Sequence, residues 1–316
     1  MGRSYKDRIV AFVDMLGTSE RVLADSEGTF TNAVYKVISA LSGRKRIWQN
    51  IPHIRTGKSV EVEFDAPDSG EERLTTVSDG IVMSFPAIET RNPHAMGSRS
   101  LPILRCLDQV FSMQLGLLSV GLRTRGGICR GRLVHTNNFV YGEGIVKAYR
   151  LESRVAIYPR TVIDQEIIDT LISEPIPSEI VLFENRIAHM IRVDEDGHHF
   201  VDFLGQDPMH GKAYLSSSLP DIYKETMDDL ARTTDPKIIT KLQWLKNYIL
   251  KTAADMDQSR LLHVNLGTAF GEKFRRTQDT LKSYVDSLEK ERKAPESPTS
   301  TFLEYSGKQQ FLRKVE

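Results

Sequence analysis

Two periods of hydrophobic and polar residues alternate along the chain, and the switches between them mark its elements. Residues 8–15, RIVAFVDM, are a β-branched and aromatic run bounded by a turn, the pattern of a buried strand. From Ser19 to Leu41 the apolar positions Val22, Leu23, Phe30, Val34, Val37, Ile38 and Leu41 recur mostly at helical spacing, with Gly43 as a stop, so one helix is predicted there. A mixed basic stretch follows, and then SVEVEFD (59–65) alternates like a strand. RLTTVSDGIVMSF (73–85) is two β-rich runs meeting at Ser78-Asp79-Gly80, a hairpin signal that puts Asp79 at the tip. LPILRCLDQVFSMQLGLLSVG (101–121) returns to helical intervals and ends on glycine.

LRTRGGICRGRLVH (122–135) reads as a strand or bent hairpin whose glycines permit close backbone approach. GEGIVKAYRLES (142–153) reads as a helix and AIYPRTVID (156–164) as a further strand. The order β-α-β-β-α-β-α-β predicts an α+β sheet of the ferredoxin-like or palm type with helices on one face. Residues 180–204 look like strands joined by an Asp-Gly turn, and beyond Leu219 the pattern is helical. The last stretch is rich in Pro, Ser and Thr and is expected to be a mobile tail.

Composition narrows the function classes. With 40% hydrophobic and 27% charged residues the 316-residue chain is ordinary for a globular protein, with room for about two domains. The 42 basic and 42 acidic residues cancel, which argues against bulk nucleic-acid or membrane-surface binding, so an anionic ligand must be held locally. Cys106 and Cys129 lack CxxC spacing and suit reduced packing residues. No segment approaches the roughly 20 apolar residues of a membrane span, and the start lacks the apolar stretch of a signal peptide. Met-Gly at the start resembles a myristoylation signal, but Lys6 stands where Ser or Thr is needed. A cytoplasmic protein is expected.

Asp14, closing the first strand, and Asp79, at the hairpin tip, are the candidate chemistry. If the two strands are neighbours, their carboxylates converge, and such hard oxygen ligands hold one or two Mg²⁺ or Mn²⁺ ions. The turn MLGTS that follows Asp14 can offer backbone N–H groups to phosphate oxygens. Taken singly, Asp14 is equally a cap for the next helix and Asp79 a plain turn residue. The eight histidines show no metal-ligand spacing, and Ser78 has no GxSxG context.

These motifs resemble those of the class III nucleotidyl cyclases. FVDMLG (Phe12, Asp14, Gly17) is similar to the family's first-strand Phe-x-Asp-x-x-Gly, and Ser78-Asp79 stands at its hairpin Gly-Asp. FVYGEGIVKAYRLES (139–153) matches a later family motif at Gly142, Ala148, Arg150, Leu151, Glu152 and Ser153. The residues that select a purine and orient the sugar are replaced by Thr75, Phe139 and Val146. This divergent set, with YPR (158–160) and KLQWLKNY (241–248), looks like the bacterial pyrimidine cyclases of the Pycsar antiphage system.

The resemblance covers roughly residues 8 to 165; with the patterning it gives an expected cyclase domain over 1–215, a helical region over 216–292 and a flexible tail over 293–316. It implies conversion of UTP, with CTP the close variant, to a 3′,5′-cyclic nucleotide that activates a separate effector. Asp14, Asp79 and the Met15 carbonyl would hold two Mn²⁺ or Mg²⁺ ions, and Phe12, Gly17 and Thr18 would lie along the triphosphate. Arg150 aligns with the family's transition-state arginine, while Arg125 and Arg130 compete for the phosphates. In a homodimer with shared sites, Phe139, Tyr141 and Arg150 would act on the partner's nucleotide. A silent nucleotide-binding module is the alternative.

Overall fold

The computed structural model describes residues 5–42, 47–52, 59–64, 72–89, 94, 97–174, 190–204 and 212–258. The chain divides into two compact units, Met1–Val264 and Asn265–Glu316, of which the second lies outside the described residues. So do the tail over 293–316 and residues 180–189 of the segment expected to form strands over 180–204.

An eight-stranded sheet organises the first unit. Its path runs β4 (Arg73–Val77), β5 (Gly80–Pro86), β1 (Lys6–Leu16), β6 (Arg123–Thr136), β8 (Thr161–Ile163), β10 (His199–Val201) and β9 (Ile191–Val193), with β7 (Phe139–Gly142) paired to β6. β1 is antiparallel to both neighbours, and Asp14 falls opposite Gly80 on one side and Arg125 on the other. A separate two-stranded sheet joins β2 (Ile47–Pro52) to β3 (Ser59–Phe64). The α+β class is thus present, and the hairpin at Asp79 is formed by β4 and β5 as the Asp-Gly signal predicts.

Side-chain alternation divides β1 between two layers. Ile9, Ala11 and Val13 are buried on one face, where α3 (Ser100–Ser119) packs. Gln114 of α3 donates to the Thr124 hydroxyl at 3.1 Å, and Thr124 lies opposite Met15 on this face. α2 (Thr29–Ser42) stacks on α3, with Gln109 donating to the Leu41 carbonyl at 2.9 Å. On the other face Val10, Val82, Cys129 and Leu133 form a cluster with Ala148 of α4 (Glu143–Arg154).

That α4 crosses the face opposite α3 is a departure from helices on one face, and the glycines of β6 explain it. A Cβ at Gly127 would lie 2.4 Å from the Leu151 Cβ, and one at Gly131 would lie 2.7 Å from the Gly144 Cα. The bare backbone of β6 is therefore what lets the helix lie directly on the strand. Cys129 is part of this contact; burial pushes its thiol up to about 12, which suits a packing residue.

The segment expected to be one helix over 19–41 is two, α1 (Ser19–Ala24) and α2. Asp25 breaks it: its carboxylate accepts from the Phe30 and Thr31 amides at 3.0 and 2.8 Å, capping α2 and excluding a continuous helix. The strand expected over 156–164 is only three residues long and is followed by α5 (Gln165–Ser173), capped by Asp164. The Asp-Gly turn within 180–204 joins β9 to β10, and Gly197 has φ of +79° there.

Two long helices, α6 (Lys212–Arg232) and α7 (Pro236–Gln258), belong to the same compact unit as the sheet. Asp229 of α6 pairs with Arg123 of β6 at 2.6 Å. On α7, Trp244 stacks on Tyr158 at 5.6 Å and donates through Nε1 to Asp194 at 2.7 Å. Tyr248, buried one turn later, donates to Asp202 and accepts from the Leu204 amide at 2.9 Å. Among the described residues, no helix is long and apolar enough to cross a membrane.

Candidate active site

The end of β1 and the turn of the β4–β5 hairpin are tied together by backbone and side chain. The Met15 amide donates to the Asp79 carbonyl at 3.0 Å, and the Thr18 hydroxyl donates to the Asp79 carboxylate at 3.3 Å. Ser78 sits at φ of +57°, an uncommon backbone for a non-glycine residue, at the point where the hairpin turns Asp79 toward β1. Gly17, at φ of +70°, makes the tight exit from β1 that glycine accepts without cost. Asp14 does not cap α1: Thr18 holds the N-cap position, and its side chain is engaged with Asp79 and, at 3.5 Å, with the Met15 carbonyl.

The Asp14 carboxylate meets a cation instead. Arg125 Nε lies 3.5 Å from Asp14 and 2.5 Å from Glu152 of α4, the latter a close charge contact without the alignment of a hydrogen bond. Burial, and then the neighbouring Asp79, raise the Asp14 pKa, with Arg125 opposing them. Burial also raises that of Glu152, which is 2% exposed, again with Arg125 opposing. Three carboxylates thus gather where one arginine makes direct contact.

This donor chemistry fits a hard divalent ion. Asp14, Asp79 and the Met15 carbonyl are oxygen donors of the kind Mg²⁺ and Mn²⁺ take, and the repulsion that Asp14 feels from Asp79 is what a cation would relieve. Among the described residues no group of three or more His, Cys, Asp or Glu side chains is arranged to hold a metal, so the backbone carbonyl would complete the protein's share.

The other expected residues fall into two groups. Phe12 is on the same face as Asp14, its ring edge-on to Tyr149 at 5.7 Å and against Gly80. Arg130 projects away: it is held by Asp7 at 2.5 Å, and Glu166 is 3.8 Å off. Arg125, not Arg130, therefore stands beside the aspartates. Arg150, Phe139 and Tyr141 are not brought to Asp14 within the chain. Phe139 and Tyr141 stack at 6.0 Å on the exposed β7 hairpin, and Arg150 is exposed beside Tyr5, Tyr141 and Val146 in an open cleft.

Thr75, which the resemblance sets where the cyclase family has a purine-selecting lysine, is engaged by a histidine. His135 contacts the Thr75 hydroxyl through Nε2 at 3.0 Å and the Ser84 hydroxyl through Nδ1 at 2.8 Å, and Arg8 Nε donates to that same Ser84 oxygen at 2.8 Å. Burial, with Arg8 and Arg73 nearby, lowers the His135 pKa from 6.5 to about 4, so the ring is neutral at pH 7. The unfolded chain takes up this proton first, so the stabilisation is complete above pH 6.5 and is lost as the pH falls toward 4. Comparing unfolding free energies at pH 7.5 and 4.5, we expect wild type to lose about 1–2 kcal/mol more than His135→Gln, after allowance for solvent screening. Parallel losses in the two proteins would mean that His135 is not the acid-sensitive group.

Two residues of this site carried no chemical assignment from the sequence. Glu152 was legible as a match in RLES, but its contact with Arg125 depends on α4 crossing the sheet. Lys241 begins KLQWLKNY, and only the docking of α7 reveals that its charge is felt at Asp14 and Glu152.

No family model and no curated protein matches the chain. Among solved structures it is similar to two of a bacterial light-regulated adenylyl cyclase. The first is 13% identical with a TM-score of 0.32, over 65% of this chain and 55% of that one. The second is 14% identical with a TM-score of 0.30, over 69% of this chain and 98% of that one. The chain thus spans about half the length of the first.

Proposed function

We propose that the chain is a nucleotidyl cyclase that converts UTP to 3′,5′-cyclic UMP and pyrophosphate. The observation that carries this reading is the meeting of Asp14 and Asp79 at a glycine turn, beside Arg125. In the reaction the ribose 3′-oxygen forms a bond to the α-phosphorus while the bond from that phosphorus to the β-phosphate bridging oxygen breaks. The 3′-hydroxyl proton is lost to the medium and pyrophosphate leaves.

Asp14, Asp79 and the Met15 carbonyl would hold two Mg²⁺ or Mn²⁺ ions. When bound, these supply a hydroxyl of lowered pKa and neutralise phosphate charge. Thr18 fixes the Asp79 carboxylate, and Arg125 keeps a guanidinium beside Asp14, where it can face a phosphate oxygen. No protein nucleophile is needed.

A homodimer completes this reading. Tyr5, Phe139, Tyr141, Val146 and Tyr149 are about half exposed on α4, the β7 hairpin and the start of β1. Such an aromatic surface suits a second copy, and Arg150 beside it would then serve the partner's nucleotide. UTP is favoured over a purine because Thr75 is occupied by His135 and because Phe139 and Val146 offer no polar group to a purine or its sugar. CTP is the close variant. The product would act in Pycsar-type defence through a separate effector, with synthesis in the cytoplasm.

The test is to incubate the purified chain with each of the four NTPs and Mn²⁺ and identify products by mass. A single dominant cyclic pyrimidine monophosphate is expected. Products from ATP alone would overturn the pyrimidine assignment, and nucleotide binding without any product would favour the silent module.

A further inference from the structure

We infer that helix α7 is part of the nucleotide site and that Lys241 binds the triphosphate chain of the bound nucleotide. The inference rests on the metal–triphosphate reading above and adds a residue to it from outside the sheet.

The placement follows from helical spacing. Lys241, Trp244, Leu245 and Tyr248 recur at intervals of three and four residues and so share one face of α7. The other three are seated on the protein: Trp244 against Tyr158 and Asp194, Tyr248 against Asp202, and Leu245 among Arg123, Thr124 and Pro159. Arg123 and Thr124 immediately precede Arg125 on β6, so the face that carries Lys241 docks at the strand end where the site lies. Lys241 is half-buried there, and the charges that act on it are Arg125, Asp14, Asp235 and Glu152.

The charges suggest what the ammonium is for. Glu152 already has Arg125 at 2.5 Å, and Asp14 has it at 3.5 Å. Among the described residues Lys241 makes no hydrogen bond or close ion pair of its own, although burial and Arg125 both disfavour its charged form. A cation held against these costs, on the helix face that docks at this strand end and within electrostatic reach of carboxylates suited to a divalent ion, is placed for an anion that arrives with that ion. A metal-bound triphosphate is such an anion, and a flexible lysine stem can follow its oxygens as a point charge.

The test is calorimetric binding of inorganic triphosphate with Mg²⁺ to the full chain, for wild type, Lys241→Met, Lys241→Arg and Asp14→Ala, together with the ligand-free thermal midpoint of each. Lys241→Met should weaken triphosphate binding about tenfold or more, with its midpoint unchanged, while Lys241→Arg stays within about threefold of wild type. Unchanged affinity in Lys241→Met, with binding lost in Asp14→Ala, would overturn the role of Lys241 and leave the site standing. A fall in the midpoint of Lys241→Met that Lys241→Arg does not restore would make the residue structural and also overturn the role. Failure of the wild type to bind would overturn both readings together.

Discussion

Asp14→Ala and Asp79→Ala should each lower cyclic nucleotide formation by about a thousandfold or more, equivalent to ~4 kcal/mol of transition-state stabilisation. Each substitution removes one of the two carboxylates that converge at the Gly17 turn, and the remaining donors are one carboxylate and a backbone carbonyl. For Asp14→Ala, stability should not follow activity down. Burial and Asp79 both act against the charged form of Asp14, so the ligand-free protein loses an electrostatic penalty with the side chain, and Arg125 keeps Glu152 as its partner. The check is rate and thermal midpoint measured on the same preparations. Mixing Asp79→Ala with Arg150→Ala should restore part of the rate if the two residues act in one site across a dimer. Full activity in either aspartate variant would remove the carboxylate pair from the mechanism.

Arg160→Met should destabilise the protein by about 1–3 kcal/mol, less than the cost of opening a fully buried ion pair because the carboxylates left behind, Asp194 and Asp196, are 15% and 37% exposed and partly screened by water. The Arg160 side chain is completely buried and is held by Asp194 and Asp196 of the β9–β10 turn. Its guanidinium lies 5.2 Å from the Tyr158 ring centroid, 5.8 Å from that of Phe200 and 6.0 Å from that of Trp244. Asp194 also accepts from Trp244, so this one arginine fastens β8, the β9–β10 turn and α7 at once. Set against a typical domain stability of about 5–15 kcal/mol, such a loss is large. Arg160→Lys should recover only part of it, because an ammonium has neither the fixed fork that meets carboxylates bidentately nor the planar face that stacks against the rings. Denaturant midpoints of the three proteins check this, and a loss under about 1 kcal/mol for Arg160→Met would show that the buried pair is dispensable.

What could be read from the residues, and what could not, divides along the range of the interactions. β1 and the β4–β5 hairpin were legible because their patterns are local: an apolar run closed by a turn, and Asp-Gly between two β-rich runs. With those in place, the approach of Asp14 to Asp79 needed only that the strands be neighbours, as the register shows they are. The break between α1 and α2 was missed because apolar spacing continues through it, and the signal is a carboxylate, Asp25, reaching amides five and six residues on. β2 was missed because IWQNIP sits in a basic stretch and is a strand only through its pairing with β3. Glu152 and Lys241 depend on contacts still more remote, the crossing of α4 over Gly127 and the seating of α7 at the strand end. No window around either residue contains that information.

Turnover of UTP in ¹⁸O-enriched water tests the central claim most directly. Attack by the ribose 3′-hydroxyl uses no water, so cyclic UMP and pyrophosphate should form in equal amounts and neither should carry the heavy isotope. Linear UMP with ¹⁸O in either product would show that water is the nucleophile, and would contradict a cyclase built on Asp14 and Asp79.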